Sequence, residues 1–314
     1  MIRKATNLVW LKRDLRTQDH EPLFWAEKAQ TPYRILFVFE PSIMEHPDSS
    51  LRHQQFVYHS ILELNKTLSS LNREVDIFYG EMVDVLKYLH QVFLIKNLFS
   101  FQESGTSITW LRDQKVKTFC QRHQIHWVES QRDGIIRGIK DRTDWNKKWY
   151  TTMHQPLINN TYSYSKQKKI KHPFALPTEI VHELQNYPNQ YQPAGEENAW
   201  RYLQSFSTAR GVNYKKHISK PALSRKSCSR LSPFLAWGNI SVKQAFQYVN
   251  QHLVKPKKSN PHAAMLTRLK WHCHFIQKFE VECRYETECI NAGYELLAHN
   301  KNSAFLHAWK IGTT

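Results

Sequence analysis

Residues 229–241 are the stretch from which the organisation of the chain can be read: Ser229-Arg230-Leu231-Ser232-Pro233-Phe234-Leu235-Ala236-Trp237-Gly238-Asn239-Ile240-Ser241. Ser232 before Pro233 predicts a helix start, because a serine hydroxyl can cap backbone N–H groups and proline has no N–H to leave unpaired. Gly238 suits the left-handed position that ends a helix. Ser241 with Gln244 predicts a capping box at a second helix start. Two helix N-termini are therefore expected close together, with no acidic residue between them.

Two interpretations of this stretch remain open from the sequence. Free N–H groups and the positive ends of helix dipoles, with Arg230 beside the first, would hold phosphate groups without a glycine-rich loop. The alternative is an ordinary pair of helices in a packed domain.

The composition indicates a globular protein with an anionic partner. The chain has 314 residues, 41% of them hydrophobic, and a formal net charge of +17, so it can form two domains with sizeable cores. Nucleic acid is the first expected partner, followed by an anionic membrane or ribosomal RNA. Aromatic residues make up 13%, including ten tryptophans, which suits stacking on flat ligands, although aromatic side chains also fill cores.

No apolar run approaches the roughly 18 residues of a membrane span, and the start of the chain does not resemble a signal peptide. The cysteines are odd in number and widely spaced, which favours reduced thiols in the cytoplasm. Their spacing matches no zinc or iron–sulfur pattern, so we expect no metal site. They are Cys120, Cys228, Cys273, Cys283 and Cys289.

Short apolar runs alternate with helical patterns in the first part of the chain. Strands are expected at residues 8–11, 34–39, 75–79, 97–101 and 125–128, and helices at roughly 20–29, 51–71, 82–93 and 107–123. Such alternation predicts an α/β domain with a doubly wound parallel sheet over residues 1–132.

The loop after the first strand, residues 12–19, would lie at the carboxyl edge of this sheet, where ligands bind. It contains no GxGxxG pattern, which argues against a standard dinucleotide site. Its lysine, arginine and aspartate side chains are expected to form a solvated cluster of ion pairs.

Residues 133–190 have weak periodicity and positive charge, and predict a basic connector over the surface. Its lysines Lys166, Lys168 and Lys169 form either a solvated loop or a phosphate-contacting patch. Helical patterns dominate residues 191–314.

On a helix expected at residues 262–279, one face carries Arg268, Trp271, His272 and Phe275. Trp271 is either a base-stacking platform or a core aromatic residue beside an arginine.

Several separated motifs together resemble the photolyase/cryptochrome family of flavoproteins. The resemblance extends over essentially the whole chain, and the motif at residues 229–241 is among the most specific. The others are Val9-Trp10-Leu11-Lys12-Arg13-Asp14-Leu15-Arg16 with Asp19, Arg52 with Phe56, Gly134-Ile135-Ile136-Arg137, Gly195 with Ala199, Leu203 and Phe206, residues 269–275, and Leu306 to Thr313.

The resemblance implies an N-terminal antenna-chromophore domain and an all-α FAD-binding domain. It implies light-dependent repair of cyclobutane pyrimidine dimers in DNA, in which excited reduced flavin donates an electron and the ring splits. FAD would be contacted by Tyr214, Ser229, Arg230, Leu231, Ser232, Arg268 and His272. Trp271 would pack against the dimer, and Lys166, Lys168 and Lys169 are candidate DNA contacts. A folate or deazaflavin antenna is possible, and a cytoplasmic monomer is expected.

Two departures from the family pattern bear on the activity. Arg268 stands where the family has a glutamate, and His272 where it has an arginine. The chain also stops within the last recognisable segment, so we expect a truncated and impaired form with an incomplete FAD-binding domain and without the residues of the electron-transfer chain. The alternatives are a cryptochrome-like blue-light photoreceptor and a non-catalytic nucleic-acid-binding remnant.

Overall fold

The computed structural model describes residues 3–252, 260–298 and 300–313. These residues group into two compact units, Met1–Val281 and Glu282–Thr314. The domain boundaries expected after residues 132 and 190 stay predictions.

A five-stranded parallel sheet forms the first part of the chain, as the alternating apolar runs predict. The strand order is β3-β2-β1-β4-β5. The strands are β1 (Lys4–Trp10), β2 (Tyr33–Phe39), β3 (Val75–Tyr79), β4 (Phe93–Phe101) and β5 (His126–Ser130). Successive residues of β1 point to opposite faces, so Leu8 and Trp10 join one core while Val9 joins the other.

Helices cover both faces of the sheet. The helices α1 (Glu21–Lys28) and α3 (Leu51–Leu68) supply the core on one face, and α4 (Met82–Val92) and α5 (Ser107–Arg122) the core on the other. A single turn, α2 (Pro41–Met44), follows β2, and a 3-10 turn (Ser69–Leu71) follows α3.

The rest of the first unit is helical and has its own core. Its helices are α6 (Trp145–His154), α7 (Thr178–Gln185), α8 (Glu196–Ser205), α9 (Tyr214–His217), α10 (Pro221–Ser227), α11 (Ser232–Trp237), α12 (Val242–Gln251) and α13 (Pro261–Val281), with a π-helical turn at Phe206–Arg210. Trp149, Phe206 and Phe234 are fully buried in this core. Met265 and Leu269 attach α13 to it.

The second unit contains two 3-10 turns (Cys283–Glu286 and Ala292–Leu296) and α14 (Ser303–Ile311). Apolar side chains of this unit, among them Leu296, Phe305 and Trp309, are exposed.

The helix ends of residues 229–241 agree with the sequence in part. Gly238 ends α11 with φ of 70°, and Ser241 and Gln244 form the capping box of α12. The prediction that Ser232 caps α11 is wrong. Leu231 already has helical dihedral angles, so Ser232 is the first residue of the helix and its side chain makes no capping bond.

The observed fold class is therefore the one expected: a doubly wound parallel α/β part followed by a helical part. Within the residues that the structure describes, no helix is both long and apolar enough to cross a membrane. Across the same residues, no three His, Cys, Asp or Glu side chains are grouped so that they could hold a metal ion.

Candidate functional site

The loop that follows β1 is joined directly to the stretch at 229–241. The backbone N–H of Leu15 donates to the carbonyl of Trp237 at 3.0 Å, and the side-chain amide of Asn239 donates to the carbonyl of Leu15 at 3.0 Å. The hydroxyl of Ser241 donates to Asp19 at 2.6 Å. The carboxyl edge of the sheet therefore holds α11 and the start of α12 in place.

Four of the five charged side chains of this loop are buried, so the expectation of a solvated cluster is wrong; they are Lys12, Asp14, Arg16 and Asp19. Lys12 pairs with Asp113 at 3.0 Å, and Asp14 pairs with His20 at 2.8 Å with both side chains fully buried. Burial lowers the pKa of His20, although Asp14 opposes this shift. A neutral His20 ring fits the geometry, because Nε2 faces Asp14 and Nδ1 accepts from the N–H of Leu23. The buried polar side chains of this loop therefore stabilise the fold.

Arg210 fixes the segment that leads into α11. Its guanidinium donates to the carbonyl of Ser229 at 3.2 Å and to that of Tyr202 at 3.0 Å, and it also donates to the carbonyl of Cys228. One side chain thus satisfies three carbonyl groups and sets the course of the backbone before Leu231.

Arg230 adopts a left-handed backbone conformation with φ of 58°. Its carbonyl accepts from Gln192, and its Nη2 donates back to Oε1 of Gln192 at 3.3 Å. The Nε of Arg230 is buried and has no hydrogen-bond partner within the described part of the chain. A donor in this position can serve an anionic ligand.

A cavity of 930 Å³ opens beside Arg230. It is lined by three arginines, by five aromatic side chains and by no acidic residue. The arginines are Arg52, Arg225 and Arg230, and the aromatic residues are His53, Phe56, Tyr187, Tyr191 and Trp237. A cavity with this lining suits a ligand that combines phosphate with aromatic rings.

The N-terminus of α12 is already occupied by protein groups. The N–H of Val242 donates to Oδ1 of Asp133 at 3.0 Å, and that of Gln244 donates to Ser241 at 2.9 Å. The expectation that both helix starts offer free donors is therefore wrong for the second one. A carboxylate at this helix start would also repel a phosphate.

Tyr214, Arg268 and Trp271 lie together. Arg268 interacts electrostatically with Tyr214, and the guanidinium of Arg268 lies over the Trp271 ring, 4.3 Å from its centroid. Burial raises the pKa of Tyr214, although Arg268 opposes this shift. Trp271 is 44% exposed, so it is not a core aromatic residue. Its role as a stacking platform stays a prediction.

His272 is half-buried next to the loop at Arg132 and Asp133. Burial lowers the pKa of its ring, with opposite influences from those two residues. Its Nε2 is buried and finds no hydrogen-bond partner in the ranges that the structure describes. Like the Nε of Arg230, this atom is available to a ligand.

Comparison with known proteins finds similarity to photolyases. The DNA photolyase family model matches residues 7–158. A deoxyribodipyrimidine photo-lyase of Buchnera aphidicola is 25% identical over 334 residues, which cover 98% of this chain and 67% of the relative. A (6-4)DNA photolyase of Arabidopsis thaliana is 23% identical, covering 100% of this chain and 62% of the relative. The chain is thus similar to photolyases along essentially its whole length.

Solved structures of the photolyase/cryptochrome family share the fold. A class III photolyase of Agrobacterium tumefaciens superposes with a TM-score of 0.80 at 15% identity, covering 99% of this chain and 66% of that one. An archaeal photolyase of Sulfolobus tokodaii, described with two FAD molecules, gives 0.78 at 18% identity and covers 98% and 67%. The chain thus spans about two thirds of the length of the proteins it matches.

The three connector lysines do not join the other predicted site residues. Lys168 lies at the amino edge of the sheet, where its carbonyl accepts from Arg34 near the start of β2. Lys169 pairs with Glu74, immediately before β3, and Lys166 lines the same cavity as both. The stretch at 229–241 instead packs on the carboxyl edge.

Several residues of the site were missed from the sequence. Arg210 and Gln192 position residues 228–230, and Asp133 occupies the start of α12. Arg210 lies four residues after Phe206, which belongs to one of the sequence motifs, so the sequence could have indicated it as a site residue. Gln192 and Asp133 carried none, because only the tertiary fold brings them to the site.

Proposed function

We propose that this chain binds FAD in its helical part and acts in the light-dependent repair of cyclobutane pyrimidine dimers in DNA. The observation that carries the proposal is the arginine-lined cavity beside Arg230, together with the adjoining cluster of Tyr214, Arg268 and Trp271. Similarity to photolyases supports the type of reaction, and these residues are the positions at which the cofactor and the lesion would bind.

The residues present fit a flavin dinucleotide. Arg230 and His272 each keep a buried nitrogen that has no partner among the described residues, and both are positions that the family resemblance assigns to FAD. The cavity beside Arg230 is cationic and aromatic, as a diphosphate bearing two ring systems requires.

In this proposal Arg230 and Ser232 bind the phosphate groups, and Ser229 and Leu231 contribute through their backbone at the same turn. Tyr214 contacts the cofactor from α9. We base phosphate binding on the Arg230 guanidinium rather than on a helix dipole, because α11 has only six residues and α12 is capped by Asp133.

Bound reduced FAD would supply the light-excited electron that opens the cyclobutane ring. The protein has to hold the flipped dimer against a dry, flat surface. Trp271 offers such a surface, because its ring is 44% exposed on α13 while Leu269 on the neighbouring face anchors the helix in the core.

A small cavity lies at the switch point on the carboxyl edge of the sheet. The switch point of this topology lies between β1 and β4. The guanidinium of Arg13 lies 4.6 Å from the centroid of the Trp237 ring there, and Arg112 pairs with Glu103 at 2.6 Å. The cavity that remains there has a volume of 90 Å³, and the antenna chromophore stays a prediction.

The proposal is tested with purified protein, photoreduced FAD and an oligonucleotide that contains one thymine dimer. Illumination should convert the dimer to two thymines, as measured by chromatography, and the same mixture kept dark should not. Trp271→Ala should abolish repair while flavin absorbance is retained. Dimer that persists under light with stoichiometric bound FAD would refute repair. Salt-sensitive DNA binding without any flavin would instead support the nucleic-acid-binding remnant.

Arg268 favours a second candidate function, altered lesion specificity or light signalling. Its guanidinium lies over the ring on which a dimer would stack, and residue 268 itself supplies no carboxylate to accept from the lesion. If this alternative holds, the protein binds FAD and responds to light, but it repairs (6-4) photoproducts or no lesion at all. Parallel assays on both photoproducts separate these outcomes.

A further inference from the structure

Residues 163–171 cross the amino edge of the sheet as an extended strap. The body of the protein binds this strap through its backbone. Arg73 donates to the carbonyl of Ser163 at 2.8 Å, Asn72 donates to that of Ser165 at 2.6 Å, and Tyr88 donates to that of Lys171 at 2.9 Å. These three carbonyl groups are therefore already hydrogen-bonded within the protein. The longer side chains of the strap can make other contacts.

Burial alternates over residues 164–168 of the strap as it does along a strand with one free face. Tyr164, Lys166 and Lys168 are exposed, whereas Ser165 is buried and Gln167 is half-buried. In an extended chain, residues two apart share a side and lie about 7 Å apart. The exposed face therefore presents one aromatic ring followed by two ammonium groups at regular spacing.

A groove of 700 Å³ runs beside this face, and its positive charge is only partly neutralised. Three of its cations are paired, and the pairs are Arg34–Asp76, Arg73–Glu27 and Lys169–Glu74. Lys4, Lys166 and Lys168 also line the groove, and they have no carboxylate partner among the described residues. Tyr164 lines the same groove and is 65% exposed.

We propose that this groove is a second nucleic-acid site, which binds undamaged single-stranded DNA or RNA. Regular cations along a groove match the backbone of a single strand, and an exposed aromatic ring provides stacking for a base. A duplex buries its bases and cannot use Tyr164 in this way. The site lies at the amino edge of the sheet, opposite the edge on which Trp237 and Asn239 pack. It does not depend on the proposed repair function.

Binding is measured in the dark, without flavin, with a labelled oligothymidylate of about 20 nucleotides. Lys166→Ala/Lys168→Ala should weaken binding about tenfold and lower the slope of log affinity against log salt by about 1.4. Lys115→Ala/Lys117→Ala is the matched control, since these exposed α5 lysines have the same spacing and charge. It should change affinity less than twofold. Thermal melting of each variant verifies folding.

Tyr164 provides the second arm of the test. Tyr164→Ala should weaken binding about tenfold, and Tyr164→Phe should retain it, because stacking needs the ring and not the hydroxyl. Equal losses in both lysine pairs, or no effect of Tyr164→Ala, would overturn the proposal. Phosphatidylserine vesicles that bind while the oligonucleotide does not would assign the groove to lipid and also overturn it. Because the DNA is undamaged and flavin is absent, failure of dimer repair leaves these outcomes unchanged.

Discussion

The guanidinium of Arg268 lies over the indole ring of Trp271 one turn along α13, with 4.3 Å between the Arg268 Cζ and the ring centroid. The cation thus shares the exposed surface of the ring with any base that stacks there. This contact makes Arg268 a candidate determinant of lesion selectivity.

Replacing Arg268 by glutamate should raise selectivity for dimer-containing DNA about tenfold. The carboxylate offers an acceptor to the edge of the lesion, and a correct hydrogen bond to a base is worth about 1–3 kcal/mol of discrimination. Loss of the cation also weakens binding to undamaged DNA, which raises the selectivity further. Arg268→Gln is the control that removes charge without adding a carboxylate. Anisotropy titrations with damaged and undamaged strands give the ratio, and equal ratios for both variants would contradict the prediction.

Arg210→Ala should lower the free energy of unfolding by about 2 kcal/mol, because hydrogen bonds from one charged group to three carbonyl groups are lost. FAD affinity should fall with it, since the backbone at Ser229 loses its support. Arg201→Ala removes an exposed arginine of the preceding helix and serves as the control. Urea unfolding and flavin titration measure the two effects. Similar losses in both variants would show that the carbonyl contacts contribute little.

Gly238→Ala should destabilise the fold by about 3 kcal/mol. The residue has φ of 70°, and an added Cβ would lie 2.2 Å from the carbonyl oxygen of Arg13 and 2.6 Å from the Cα of Asp14. Gly138→Ala is a matched control, since Gly138 has φ of 76° and no atom within 4 Å of the added Cβ. It should cost about 1 kcal/mol. The difference between the two variants in urea unfolding isolates the contact with the sheet loop.

Glu40 and Glu103 share Arg112 but should respond to pH with opposite signs. Burial raises the pKa of Glu40 to about 7, so the folded protein keeps a proton that the unfolded chain releases near its ordinary value of 4.5. The stability that Glu40 contributes therefore falls as pH rises through 7. The stability of Glu40→Gln relative to wild type should increase by up to about 3 kcal/mol between pH 4.5 and 8.

Burial alone would raise the pKa of Glu103, but Arg112, Arg13 and Lys12 hold it below its usual range. Its contribution is present above pH 4.5 and is lost as pH falls towards the lowered value. Glu103→Gln should therefore destabilise the protein at pH 7 and progressively less in acid. Chemical unfolding of both variants from pH 2 to 8 measures the two trends, and parallel trends would refute the assignment.

Most of the sheet was predictable because each strand is a short apolar run between polar turns. The start of β4 was missed, since Lys96 and Asn97 interrupt its pattern, and the strand begins at Phe93. Helix α6 was read as part of a surface connector, although Trp145 and Trp149 are buried in the helical core. Its buried positions lie four residues apart among polar ones, which is too sparse a pattern to reveal burial.

Within the site, the sequence identified residues 229–232 and Trp271 but not what holds them. Capping was predicted from local residue types, and it failed at Ser232 because Leu231 is already helical. The contacts of Asp133 with α12 and of Gln192 with Arg230 join distant parts of the chain. Local patterns carry no information about such pairs.

The bonds between the first loop and residues 237–241 also set an order of events during synthesis. Leu15 is made 224 residues before Asn239, which donates to its carbonyl, and Arg16 is made 222 residues before Gly238. While the ribosome extends the chain, the β1 loop keeps these polar groups in water, even after all five strands have emerged. The hydrogen bonds at the carboxyl edge of the sheet therefore form only when the helical part packs against it. Until then, aggregation at this edge competes with folding.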